Sequence, residues 1–223
     1  MKGLIKKDLY NLASYKTTLI IFVCFCVFGF ATTESVSIIP ILMCTIIGMI
    51  SLSTFNYDAS SKSDKFILSL PLTRKEIVLS KYVLAILSVF LGAILGFLFS
   101  ILAVFCLNII RPDHVISLNV QSLFISTMGG MFGISFIQSI QIPCVYKWGA
   151  EKGRIQMFLV IFAIILLIVV LSFWFMNMGI SMDEKQIESF FHTYGIFLLL
   201  FLMIVMYTIS YQISYRIFQK KDV

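Results

Sequence analysis

The chain has 223 residues, of which 60% are hydrophobic and only 13% charged, with a formal net charge of +6 and a mean hydropathy of +1.00. This mix lies far outside that of soluble domains and is the signature of a polytopic membrane protein. Apolar runs fill most of the length and leave no stretch for a soluble catalytic domain, so residues 1–223 read as a single transmembrane domain.

Residues 1–16 precede the first apolar run, and no small-residue cleavage site follows it, which argues against a signal peptide. Leu4, Ile5, Leu9, Leu12 and Ala13 fall on one side of a helix, with Lys7, Asp8, Tyr10 and Asn11 around the rest. That pattern predicts an interfacial helix lying among lipid headgroups, or else a basic flank that only fixes orientation.

Crossing about 30 Å of hydrocarbon takes roughly 20 helical residues. On that criterion six spans are predicted, close to Thr17–Thr33, Val36–Asn56, Ile77–Leu107, Val120–Val145, Ile155–Met178 and Phe190–Tyr215. The fold class expected is therefore an all-α membrane protein with six transmembrane helices. The third run is longer than the hydrocarbon core requires, so its first turns should project beyond it. Gly92-x-x-x-Gly96 in the third span and Gly129-x-x-x-Gly133 in the fourth are close-packing patterns, serving helix contacts within the chain or a dimer interface. Ser135, Gln138, Ser139 and Gln141 form a polar stretch ahead of Pro143, suited to interhelical hydrogen bonds or to lining a cavity on a substrate path.

Orientation follows from the basic residues, which are retained on the cytoplasmic side of short loops. Fifteen of the seventeen fall in the N-terminal segment, after the second and fourth spans and at the C-terminus; only Arg111 and Lys185 fall in the alternate loops. Both termini are thus expected in the cytoplasm. The positive charge is accounted for by topology and anionic lipid, and no nucleic-acid partner is inferred from it.

Within the spans no ionisable side chain is expected at bilayer depth, which argues against a proton relay or catalytic centre. His114 and His192 have no metal-ligand spacing, and Cys24, Cys26, Cys44, Cys106 and Cys144 form no C-x-x-C, so neither a metal site nor a disulfide is expected. No phosphate-binding G-x-x-x-x-G-K-[ST] loop is present. The chain is not expected to be an enzyme.

The longest polar interruption is Tyr57–Tyr82, "YDASSKSDKFILSLPLTRKEIVLSKY". Phe66, Ile67 and Leu70 form a small apolar face on a short helix candidate that Pro71 ends. Thr73 and Glu76 then form a capping box that opens the third span. A short helix so tied to a membrane helix suits transmission of force from something docked on it; a solvated loop with a well-capped helix start is the alternative.

The run from Asp58 through Asp64 to Tyr82 resembles the cytoplasmic loop of type-2 ATP-binding-cassette (ABC) exporter permeases, matching it at Leu70, Pro71, Leu72, Thr73, Arg74, Glu76, Ile77, Val78, Ser80, Lys81 and Tyr82. The compact form is most similar to permeases of bacterial peptide exporters, such as phenol-soluble modulin exporters and lantibiotic self-protection systems. The resemblance implies that residues 57–82 hold a coupling helix, with Asp64, Phe66, Ile67, Leu68, Leu70, Pro71, Arg74 and Glu76 docking a separate ABC ATPase. ATP and Mg would be bound by that ATPase, leaving no cofactor in this chain. It further implies pairing with a second copy or close paralogue, lipid contact and a multi-pass location in a bacterial cell membrane. The function expected is a permease subunit exporting amphipathic or hydrophobic peptides; a non-transporting accessory or sensor subunit is the alternative.

Overall fold

In a computed structural model of the chain, the residues described are 3, 7, 8, 10, 37–60, 73–110, 119–177 and 184–220. Every regular element among them is helical: α1 Ile38–Leu52, α2 Thr54–Ser60, α3 Arg74–Ile110, α4 Val120–Trp148, α5 Ala150–Asn177 and α6 Glu184–Gln219. Gly3, Lys7, Asp8 and Tyr10 also have helical backbone. Four segments are long and apolar enough to cross a membrane, namely Ile38–Asp58, Arg74–Cys106, Val120–Trp148 and Gly195–Gln219, and Ile155–Leu167 of α5 is a shorter apolar stretch. The expected span 17–33 lies outside the described residues.

Local chemistry sets the helix ends, which is why the helices overrun the apolar runs. Thr73 and Glu76 close the expected capping box: the Thr73 amide and hydroxyl each donate to Glu76 Oε2 at 3.0 Å. Helix α3 consequently starts at Arg74 and runs 37 residues, about 55 Å at 1.5 Å per residue. Asn119 caps α4, its side-chain oxygen accepting from the amides of Gln121 and Ser122. At the other end of α4, Gly149 takes φ +86°, a left-handed value that a residue with a Cβ adopts at a cost.

The second expected span is one apolar run but two helices. At the junction the Ser53 amide bonds back to the Ile50 carbonyl, a tighter three-residue turn, and the hydroxyls of Ser51, Ser53 and Thr54 each accompany it by bonding the carbonyl three residues earlier. Helix α2 thereby becomes a separate short element at the foot of α1.

Helix α4 is central, packing against α1, α3, α5 and α6, while α5 is held mainly by α4 and α2. The end of the bundle that carries Asp58, Arg74, Trp148 and Gln219 is here termed the basal end. Its core joins Leu52, Val78, Tyr82, Ile142, Tyr146, Tyr207 and Phe218. The remote core is built from Cys44, Val89, Ala93, Met131, Ile134 and Met203.

The two glycine patterns separate. A Cβ on Gly92 would lie 3.0 Å from Cys44 Cα, and one on Gly96 2.9 Å from Pro40 Cα, so this pattern seats α1 against α3. A Cβ added at Gly129 or Gly133 would meet nothing within 4 Å; Gly130 makes the close approach instead, where a Cβ would lie 3.0 Å from Ile41 Cα. Outward faces of α3, α5 and α6 present exposed Leu87, Phe90, Ile94, Phe158, Phe162, Phe197 and Phe201, as lipid-facing surfaces do.

Candidate functional site: the basal end and its polar core

Two polar constructions occupy the bundle, and each joins residues distant in sequence. The first is a knot of charge at the basal end. Lys81, on the second turn of α3, lies 2.6 Å from Asp58 of α2 and 2.9 Å from Asp8 of the N-terminal segment. Its ammonium also donates to Thr54 Oγ1 at 3.3 Å and sits 5.2 Å from the centre of the Phe55 ring. Lys7 completes the knot by pairing with Asp58. Asp8 is 2% exposed, Asp58 5% and Lys81 7%.

This corrects the expectation that Asp8 belongs to the polar side of a surface helix. The carboxylate is turned into the bundle because Lys81 offers it a charge there. Burial pushes the Asp8 carboxyl up from the ordinary aspartate value, and the neighbouring ammonium pulls it back. Asp8 Oδ1 has no hydrogen-bond partner among the described residues. The sequence pattern places Lys7 on the polar side of an N-terminal helix and Lys81 in the loop motif, and neither position states an ion pair; the one signal that could have paired Asp58 with Lys81 is their spacing on either side of residues 61–72 within that motif.

The second construction is a neutral hydrogen-bond network across four helices. Gln138 of α4, fully buried, donates to the Gly48 carbonyl at 3.0 Å and contacts Ser51 Oγ and Ser88 Oγ at 3.3 and 3.5 Å. Its oxygen accepts from the Tyr207 hydroxyl at 2.6 Å, which fixes the amide orientation. Pro143 has no N–H to give the Ser139 carbonyl, and the Ser210 hydroxyl of α6 donates there instead, at 2.6 Å. Since that bond uses the Ser210 proton, the Tyr82 hydroxyl, 2.6 Å away, donates to Ser210, and Ser214 donates to Tyr82 at 2.8 Å. Ser135 is buried and bonds the Met131 carbonyl of its own helix. Gln141 is also buried, with its oxygen unpartnered among the described residues.

Of the residues assigned to ATPase docking, Asp64, Phe66, Ile67, Leu68, Leu70 and Pro71 lie outside the described residues. Arg74 and Glu76 stand at the root of that loop. The Arg74 guanidinium donates to the carbonyls of Phe218 and Gln219 at 3.2 and 2.7 Å, satisfying the open end of α6. Lys75 lies 5.6 Å from the Tyr215 ring centre. The start of α3 is thus fastened to the end of α6 by polar bonds and to α2 by charge.

Long apolar helices joined by interhelical hydrogen bonds, with a knot of charge at one end, define a polytopic helical membrane protein. A family model described as ABC-2 family transporter protein matches residues 3–219, almost the whole chain, and the chain belongs to that family. No curated protein and no solved structure matches it. As a permease of this family the chain is a transmembrane subunit, not itself catalytic, and membership implies an ABC ATPase partner. Neither a group of residues able to hold a metal nor a disulfide occurs among the described residues.

Proposed function

We propose that the chain is the transmembrane subunit of an ATP-driven exporter of amphipathic or hydrophobic peptides in a bacterial cell membrane. Two six-span copies, or one copy and a close paralogue, stand over two ABC ATPases, with an interfacial helix at residues 1–16 and both termini in the cytoplasm. The ATPases dock on Asp64, Phe66, Ile67, Leu68, Leu70, Pro71, Arg74 and Glu76, and rigid-body movement of the two halves gives alternating access. The observation that carries this reading is the family match over residues 3–219, joined to the loop motif whose described root, Thr73–Glu76, is stiffly capped.

Cargo class follows from what the helices lack. A polar solute needs groups that replace its water, since each unsatisfied polar group costs about 2–7 kcal/mol to bury. Twenty-two phenylalanines and eleven methionines offer an adaptable apolar surface instead. Recognition is then loose in sequence and demanding in amphipathicity.

The test uses proteoliposomes containing the chain and its ATPase. An amphipathic helical peptide stimulates ATP hydrolysis, and a scrambled peptide of the same composition stimulates it much less. Phe66→Asp with Ile67→Asp abolishes the response while the chain still inserts. Equal stimulation by both peptides overturns the cargo class; normal rates in the double variant overturn the docking site. A chain that never stimulates its ATPase favours the accessory-subunit reading.

A further inference from the structure

The signs of the four charges in the knot are distributed in a way that holding a bundle together does not require. Lys7 and Asp8 come from the N-terminal segment; Asp58 and Lys81 come from the two helices that flank residues 61–72. Within the knot each side contributes one acid and one base. Two pairs cross the contact, Lys7 with Asp58 and Asp8 with Lys81. The third, Asp58 with Lys81 at 2.6 Å, lies wholly on the α2–α3 side.

Removing a single member of a buried pair is costly, because the partner charge stays behind uncompensated. Lifting the N-terminal segment away as a unit leaves no such orphan. Asp58 and Lys81 keep each other, and Lys7 and Asp8 go to water together. Water already reaches the contact from one side, where the Lys7 side chain is 34% exposed.

We propose that Lys7 and Asp8 form a releasable charge clasp on α2 and α3, and that its closure ties the N-terminal segment to these two helices during coupling. The proposal rests on the transporter reading above. When the clasp is closed, the N-terminal segment follows α2 and α3, and Arg74 links α3 to α6, so a displacement of α3 reaches α2, α6 and the N-terminal segment together. When it is open, α2 and α3 remain paired and the N-terminal segment no longer follows them. Lys7, Asp8, Asp58 and Lys81 are positioning residues in this scheme and touch no substrate.

Charge swaps that conserve composition and net charge test it. Lys7→Asp with Asp8→Lys sets like charges against Asp58 and Lys81 and leaves the α2–α3 pair untouched. Asp58→Lys with Lys81→Asp keeps that pair with reversed signs and repels the segment. All four changes together restore every pair. Spin labels replace Gly3, where an added Cβ meets nothing within 4 Å, and exposed Lys220, in a background freed of the other cysteines. The distance between them is read in the purified complex with its ATPase.

A narrow distance distribution is expected for the unswapped chain and the fourfold variant, and a broad, longer one for each double swap. The docked-to-undocked ratio falls on the order of a hundredfold in each double swap. Peptide-stimulated hydrolysis drops in both double swaps and returns in the fourfold variant, while the ATPase co-purifies throughout. Wild-type distance and stimulation in Lys7→Asp with Asp8→Lys overturns the clasp, and this variant decides even where the fourfold one does not fold. A folded fourfold variant as broad as the doubles also overturns it. Failure of the ATPase to co-purify with the unswapped chain removes the transporter reading and with it the coupling role, whereas distances on the chain alone still decide whether the clasp exists.

Discussion

Lys81 shows how one side chain can organise a membrane protein's end. Its ammonium serves two buried carboxylates and a hydroxyl, so its loss is not a local event. Lys81→Met leaves Asp8 and Asp58 buried without their shared cation and should cost about 3–5 kcal/mol. Asp8→Asn, Asp58→Asn and Lys81→Met combined remove the three buried charges and should recover most of that loss, because the remaining member of the knot, Lys7, has its side chain 34% exposed and reaches water. Thermal unfolding in detergent, followed by loss of monodispersity, measures both; a single variant as stable as the parent would contradict the buried pairing.

Among the helices, identical spacing produces different outcomes. Gly96→Val should destabilise by about 1–3 kcal/mol, since its side chain would press on the Pro40 backbone and Met43. Gly133→Val, with open space around it, should change unfolding little beyond the propensity difference. Helix-opening chemistry was legible in the sequence: Thr73 and Glu76 announce their bond by being three residues apart. The glycine pairs were legible only as patterns, because a four-residue repeat states that a face is small and not what covers it. The contact of Asp8 with Lys81 was not legible, since it joins residues 73 apart and nothing local in "KKDLY" distinguishes a solvated aspartate from a buried one. The second span was legible from hydropathy, which continues smoothly through Ile38–Asp58, whereas the one tight turn at Ser53 within it leaves no mark on hydropathy.

For the molecule as a whole, sidedness is the property that sequence argues most directly. With fifteen of seventeen basic residues on one set of loops, an impermeant thiol reagent should label a cysteine placed at Asp64 or Glu151 only after permeabilisation, and one at Asp113 or Lys185 in intact cells. The reverse order would invert the orientation and place the basal end outside. The basal end is also where the chain's described polar investment is concentrated, since the charge knot, the Arg74 cap and the aromatic contacts of Tyr146 with Phe55 and Phe218 all lie there.

Gln138 has one more consequence, and it concerns the route open to cargo. Its buried amide fastens α1, α3, α4 and α6 around one point. A peptide threading between those helices would have to part each of these bonds and supply replacements in turn. One sliding along the apolar outside of α3 or α5 would part none of them. Among the described residues these four helices therefore close on one another at the level of Gln138, and the passage of the proposed exporter has to lie along an outer face of this group and not through it.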